Sequence, residues 1–225
     1  MNQGTTRENA DWTAGFLFLG NQLTLDLLNT RPAPAGEPIE LLSDFGALLQ
    51  WFAAAELLSA SQAAEMQKRW GKSARAQEAL RAIRELRETL RREILRWEQG
   101  AAIRPSVVRE LNLLMARYPM RSKLKAGTSG LAAVMWFEVR QPEDLLAPLA
   151  HSAATLFANV DRNRVRKCAH CVAHFHDTSK KGTRRWCSMQ LCGNRLKVAA
   201  YAARRRHRPE RLTSIEIRRK SRWAR

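Results

Sequence analysis

The sequence predicts a mainly α chain with a small β-hairpin (α+β), in which a helical N-terminal domain precedes a compact module anchored by cysteines. Three observations predict this. Apolar residues recur at spacings of three and four through residues 74–98, the period that gathers them on one helical face. All four cysteines fall within residues 168–192. The formal net charge of +18 is concentrated at one end: residues 161–225 hold 20 Lys or Arg against 4 acids, and residues 1–160 hold 19 against 17. Such asymmetry joins an ordinary globular domain to a module suited to a polyanion. A chain of 225 residues with 45% hydrophobic content can build one substantial core plus a small appendage. The boundaries read as a helical domain over 1–160, a cysteine module over 161–208 and a basic tail over 209–225.

The elements follow in order. Phe16–Thr30 begins as an apolar run and continues as a first helix with Leu23, Leu27 and Leu28 at helical spacing, ending at the proline-rich loop 31–38. Asp26, Asn29, Thr30 and Arg31 are candidates for a small-molecule site, because short polar groups beside an apolar run are costly to bury unpartnered. The competing reading, that they cap this helix and its loop, follows from the general preference of such residues for helix ends and is favoured. Ser43 is expected to cap a helix through Ala55, and Ser61 to open another as far as Trp70. Residues 74–98 are the clearest helix, with Leu80, Ile83, Leu86 or Arg87, Leu90, Ile94 and Trp97 as its stripe. The stripe serves core packing or, alternatively, a homodimer seam. The helix's arginines are offset by Glu78, Glu85, Glu88, Glu93 and Glu98, so its charged side reads as a solvated face with a Glu88–Arg92 pair.

Pro105 and Ser106 start a helix to Tyr118 with Leu111, Leu114 and Met115 inward. Met120–Ala126 and Leu131–Val139 then flank a Gly127–Gly130 turn as a hairpin. Pro142 opens a last helix to Asn159, with Pro148 as a kink or restart, and His151 reads as a core histidine. No flexible linker precedes the cysteines, so the module is expected to be held against the helices. No apolar run approaches the roughly 20 residues of a membrane helix, and MNQGTTRENADW lacks a signal-peptide pattern, so a cytoplasmic protein is expected.

Cys168 and Cys171 form a C-x2-C pair and Cys187 and Cys192 a C-x4-C pair, with fifteen residues between the pairs. Two knuckles at this spacing converge on one ion, and four thiolates suit a tetrahedral Zn2+ with bonds of about 2.3 Å. One structural zinc ion is therefore the expected cofactor. A pair of disulfides is the competing reading, and His170, His174 and His176 rank second as ligands. Val172–His176 and Thr183–Trp186 read as paired strands around a turn at 177–182, where Gly182 permits positive φ. The whole reads as a zinc-ribbon or treble-clef-like finger. After Cys192 the residues read as helix, placing Asn194, Lys197, Tyr201, Arg204 and Arg208 on one face. Amides near Gly193 are candidates for a phosphate.

The run Trp186-Cys187-Ser188-Met189, then Cys192-Gly193-Asn194-Arg195 and Lys197, with Asp177-Thr178-Ser179 and Arg184-Arg185 upstream, resembles the signature of the CGNR zinc-finger family of bacterial proteins. Its first pair departs from the longer spacing of many relatives. The segment Leu25-Asp26 with Asn29-Thr30 resembles the start of the ABATE domain that precedes such fingers. The resemblance implies a zinc-dependent DNA-binding module, with the four cysteines as ligands, in a stress-induced transcription regulator.

In this reading Arg184, Arg185, Lys197, Arg204 and Arg208 contact phosphates. Asn194 and Arg195 either contact bases, Asn with adenine and Arg with guanine, or brace the knuckle from within. RNA is the competing nucleic acid, with Trp186 and Tyr201 as stacking platforms. A protein-interaction module and a metal-dependent nuclease using His174, His176 and Asp177 are the remaining readings. The nuclease ranks last, because four cysteines close the zinc site, and the protein is not expected to be an enzyme.

Overall fold

Six α-helices and three small antiparallel sheets were found in the computed structural model, which describes residues 12–33, 37–127, 130–171 and 173–193. A two-stranded ladder opens it. Strands β1 (Trp12–Thr13) and β2 (Phe16–Leu17) pair across Ala14 and Gly15, both at positive φ, the backbone twist that a two-residue hairpin favours. The first helix is therefore shorter than expected: α1 spans Leu23–Leu28, and the apolar run before it is strand and loop.

Helix α2 (Phe45–Ala54) is capped by Asp44, whose side chain accepts from the Ala47 N–H, and not by Ser43. Helix α3 (Ala60–Trp70) is capped by Ser59, two residues ahead of the expected Ser61, because Ser59 and Gln62 form a reciprocal capping box. Helix α4 (Ala74–Glu98) has the expected bounds, with Ser73 as its cap. Leu80, Ile83, Leu86, Leu90, Ile94 and Trp97 are all buried in the one core, together with Phe45, Trp51 and Phe52 of α2. The stripe is thus used by the chain's own core.

The charged side of α4 is solvated at Glu78, Arg81, Glu85 and Arg92, which are exposed, but not at Arg87 and Glu93. Arg87 is 1% exposed and Glu93 0%, since each is enclosed by partners from other segments. Glu93 accepts the Arg104 backbone N–H at 2.7 Å and its Nε–H at 2.6 Å, with Arg96 at 3.1 Å. Glu88 pairs with Arg31, Arg87 and Arg91, leaving the expected Arg92 partnership unmade.

Helix α5 (Pro105–Arg117) buries Val107 and Leu111. Strands β3 (Arg121–Gly127) and β4 (Gly130–Trp136) then pair in register as a hairpin, with Arg121 opposite Trp136 and Lys123 opposite Val134. The segment from Pro142 comes in two pieces, a 3-10 turn over Pro142–Leu145 and α6 over Leu146–Asn159. Pro148 thus stands in the first turn of α6, where its missing N–H costs little. His151 is half-buried. Thr24 of α1 bonds Ser152 of α6 through both its N–H and its hydroxyl.

Strand β5 (Val165–Lys167) follows a 3-10 turn at Arg162–Arg164 and pairs antiparallel with β6 (His174–His176). This corrects the finger hairpin: 174–176 takes the segment before the first knuckle as its partner, and 183–186 forms no strand. The chain divides into two compact units, residues 1–188 and 189–225. Of the second, Met189–Gly193 is described as a π-helical turn. The expected basic helix with Asn194, Arg195, Lys197, Tyr201, Arg204 and Arg208 lies outside the described residues. No helix among the described residues is long and apolar enough to cross a membrane.

Candidate metal centre

The four cysteines converge as their spacing predicts. Their sulfurs all lie within 4.8 Å of one another, and those of Cys171 and Cys187 are 3.4 Å apart. Four sulfurs at about 2.3 Å from one ion are about 3.8 Å apart at the corners of a tetrahedron, so the observed separations bracket the requirement. The cysteines form no disulfide, and 3.4 Å is far beyond the roughly 2.05 Å of a sulfur–sulfur bond.

The protonation chemistry agrees. Hydrogen bonds from the Cys171 and Cys187 thiols push Cys168 far below its ordinary range. Contacts with Cys168 and Cys171, together with burial, push Cys187 far up. One thiolate is welcome in this cluster and four are not, unless a cation neutralises them. The cluster can hold one zinc ion. Cys168, Cys187 and Cys192 are buried and Cys171 is half-buried. His170 is exposed, and the group of metal-ligating side chains found here contains cysteines alone.

The loop between the knuckles is built around Asp177, which is fully buried. Its Oδ1 accepts the Ser179 N–H at 3.0 Å and its Oδ2 the Arg184 N–H at 2.8 Å. Burial opposes its charge, but these donors outweigh it and hold the carboxyl below the usual range. The Arg184 N–H is therefore taken by a carboxylate, which explains why no strand forms there. Arg164 donates to the Asp177 and Ser179 carbonyls at 3.0 and 2.8 Å, and Arg166 to the Gly182 carbonyl at 2.7 Å. Gly182 has φ of +60°, as the turn demanded. A Cβ there would meet the Arg164 guanidinium at 3.3 Å.

Two expected phosphate contacts sit on this loop. Arg184 lies over the Phe175 ring at 5.1 Å and donates to the Cys187 carbonyl. Arg185 is exposed and lies over Trp186 at 5.2 Å. Gly193 closes the π turn.

The polar quartet near α1 is occupied by the protein itself. Asp26 accepts the Gly20 N–H at 2.7 Å, and burial raises its carboxyl to about 7. Asn29 donates to the His174 carbonyl and accepts the His174 N–H, both at 2.9 Å. Its amide thus acts as one rung of a ladder beside β6. The Thr30 hydroxyl donates to the Leu27 carbonyl at 2.6 Å and accepts from Arg87 at 2.9 Å. Arg31 is half-buried beside Glu88. With the Gly20 carbonyl accepting the His176 N–H at 2.8 Å and Asn21 donating to the His176 carbonyl at 3.0 Å, this segment holds strand β6 against the helices. Sequence reasoning recognised these residues but not their partner, 145 positions away. Asn29→Ala is expected to destabilise the domain by about 2 to 3 kcal/mol, since it strands a buried N–H and C=O of His174. Urea unfolding measures this, and a loss under about 0.5 kcal/mol contradicts it.

His174 and Glu98 escaped the sequence reading as a pair. His174 is 2% exposed, its Nε2 is 3.8 Å from Glu98 Oε1, and neither ring nitrogen has a hydrogen-bond partner. Burial, then Arg91 and Lys167, lower its pKa to about 4. Burial raises Glu98 to about 7, opposed by Lys167.

A helical domain bearing a four-cysteine zinc finger is the class of protein this fold and site define. The ABATE family model, described as "Putative stress-induced transcription regulator", matches residues 21–160, and the CGNR zinc finger model matches residues 164–205. The chain belongs to the ABATE family and carries a CGNR zinc finger. No curated protein matches it.

Proposed function

We propose that this is a cytoplasmic, zinc-dependent DNA-binding regulator of transcription, in which the finger contacts DNA and the helical domain regulates that contact, in a bacterial stress response. The observation that carries this reading is the coincidence of the cysteine cluster with the basic end of the chain, where 20 cations face 4 acids. Phosphodiesters attract such a surface through release of their counterions. Four thiolates leave zinc no open position for water, so the metal is structural and zinc-based catalysis has no part in this reading.

Gly193, Asn194, Arg195, Lys197, Tyr201, Arg204 and Arg208 remain the expected contacts beyond the described loop, with Arg185, exposed and lying over Trp186, the expected contact within it. Arg184, engaged with Phe175 and Cys187, is better read as a brace. An effector fits the domain less well at Asp26–Arg31, which is occupied, than in the cavity of about 320 Å³ lined by Met66, Trp70, Trp136 and Phe137.

Selection from a random duplex library with zinc-loaded protein is expected to enrich a shared sequence, and chelation to abolish the enrichment. Single-stranded RNA competing better than duplex DNA would move the function to RNA. Binding of neither leaves an acidic protein as the partner and overturns the DNA reading.

A further inference from the structure

A cavity of about 310 Å³ lies beside the first knuckle, lined by Glu98 at the end of α4, Arg166 and Lys167 of β5, Ala169 between the knuckle cysteines, and Arg184 and Arg185 of the loop. Four cations around one space are self-repelling. Some of that charge is already answered. Arg166 donates one nitrogen to the Gly182 carbonyl, and Arg184 reaches the Cys187 carbonyl. Yet Arg166 Nε is buried without a hydrogen-bond partner, its nearest acid being Asp177 Oδ2 at 3.9 Å. A buried N–H left unpaired costs about 1 to 3 kcal/mol, and a tetrahedral oxyanion supplies acceptors in several directions at once.

The structure assigns this cavity, we infer, as a phosphate-binding site that holds either a phosphodiester of bound nucleic acid or a free phosphate group. Where the phosphate belongs to DNA, the inference rests on the reading given above; where it is free, it stands alone. Arg166 and Lys167 precede the first cysteine and Arg184 and Arg185 precede the third, so the convergence of the knuckles, with the Ala169 N–H donating to the Arg185 carbonyl at 3.1 Å, brings the two pairs of cations together. Glu98 is the one acid in the lining, and its charge opposes the ligand. Burial already holds that carboxyl partly protonated near neutrality, which lowers the opposition without removing it.

Glu98 gives the test a sign that misfolding cannot imitate. Glu98→Gln is expected to tighten binding by about fivefold above about pH 8, where that carboxyl is charged, and by only about twofold near pH 7, where it is partly protonated; Lys167→Gln is expected to weaken it by about fivefold, the factor for one charge about 4 Å away in water. Glu85→Gln, an exposed change elsewhere on α4, serves as the control for net charge. Full-length zinc-loaded protein is titrated with a short duplex DNA and, separately, with inorganic phosphate, and zinc content is measured for every variant. Opposite shifts at Glu98 and Lys167 with duplex place a backbone phosphate in the cavity. The same shifts with inorganic phosphate, in a protein that does not bind duplex, keep the site and remove the DNA reading. Duplex binding that neither substitution moves beyond the Glu85→Gln control overturns the site and leaves the DNA reading standing.

Discussion

Cys187→Ser is expected to abolish stoichiometric zinc and unfold the knuckles while the helical core stays folded. A missing ligand should lower zinc affinity by more than the roughly 100-fold that loss of a supporting group costs. Small zinc modules draw about 10 to 16 kcal/mol from the metal, and the knuckle segment has little apolar burial of its own. Its larger buried side chains, Val165 and Phe175, lie in the two short strands and not in the knuckles. Unfolding should therefore be partial. The His174 and His176 N–H groups, bonded to Asn29 and Gly20, are expected to stay protected from hydrogen exchange. The N–H groups of Ala169 and Arg184, whose acceptors are the Arg185 carbonyl and Asp177, are expected to lose protection. Metal analysis with exchange mass spectrometry reads both. Zinc retained at one equivalent with unchanged affinity would sink the assignment of Cys187 as a ligand.

The legible part of this protein was local. Helix α4 could be read because its stripe repeats over 25 residues, and the metal centre because chemistry restricts what four spaced cysteines can do. What escaped depended on distant partners. Arg87 could be placed in the α4 stripe and Asn29 at a helix cap or a small-molecule site, but nothing near Arg87 announces Glu40, 47 positions away, and nothing near Asn29 announces His174. The finger hairpin was misread for the same reason. Residues 183–186 have the residue types of a strand, yet the buried Asp177 carboxylate takes the Arg184 N–H, and the segment ahead of Cys168 supplies the ladder instead. Short strands are specified by available partners more than by propensity.

Glu40→Ala is expected to cost about 2 to 4 kcal/mol, less than the roughly 3 to 5 kcal/mol of breaking a wholly buried ion pair from one side, because the Glu40 side chain is 30% exposed and so partly screened. The Arg87 guanidinium is almost wholly enclosed. It donates to Glu40 Oε1 at 2.8 Å and again to Oε2, to the Thr30 hydroxyl at 2.9 Å, and to Glu88 at 3.1 Å. Without Glu40, the buried charge keeps one carboxylate and one hydroxyl, too little to offset its lost hydration. Adding Arg87→Met to Glu40→Ala should recover part of the stability, because it removes the charge that burial penalises; urea unfolding of the single and double variants measures the coupling. The pH dependence has a definite sign. Burial pushes the Glu40 carboxyl up, but the Arg87 hydrogen bonds and charge outweigh it and hold it below the ordinary glutamate range. The unfolded chain then binds more protons than the folded one in this window. Stability is present above the unfolded value of about 4.3 and lost as pH falls through the folded value. The wild type should therefore lose stability below about pH 4 more steeply than Glu40→Ala. Because Arg87 also holds Thr30, beside the Asn29 that carries strand β6, the same substitution should speed exchange of the His174 N–H. An unchanged acid limb or a loss under about 1 kcal/mol would contradict the pairing.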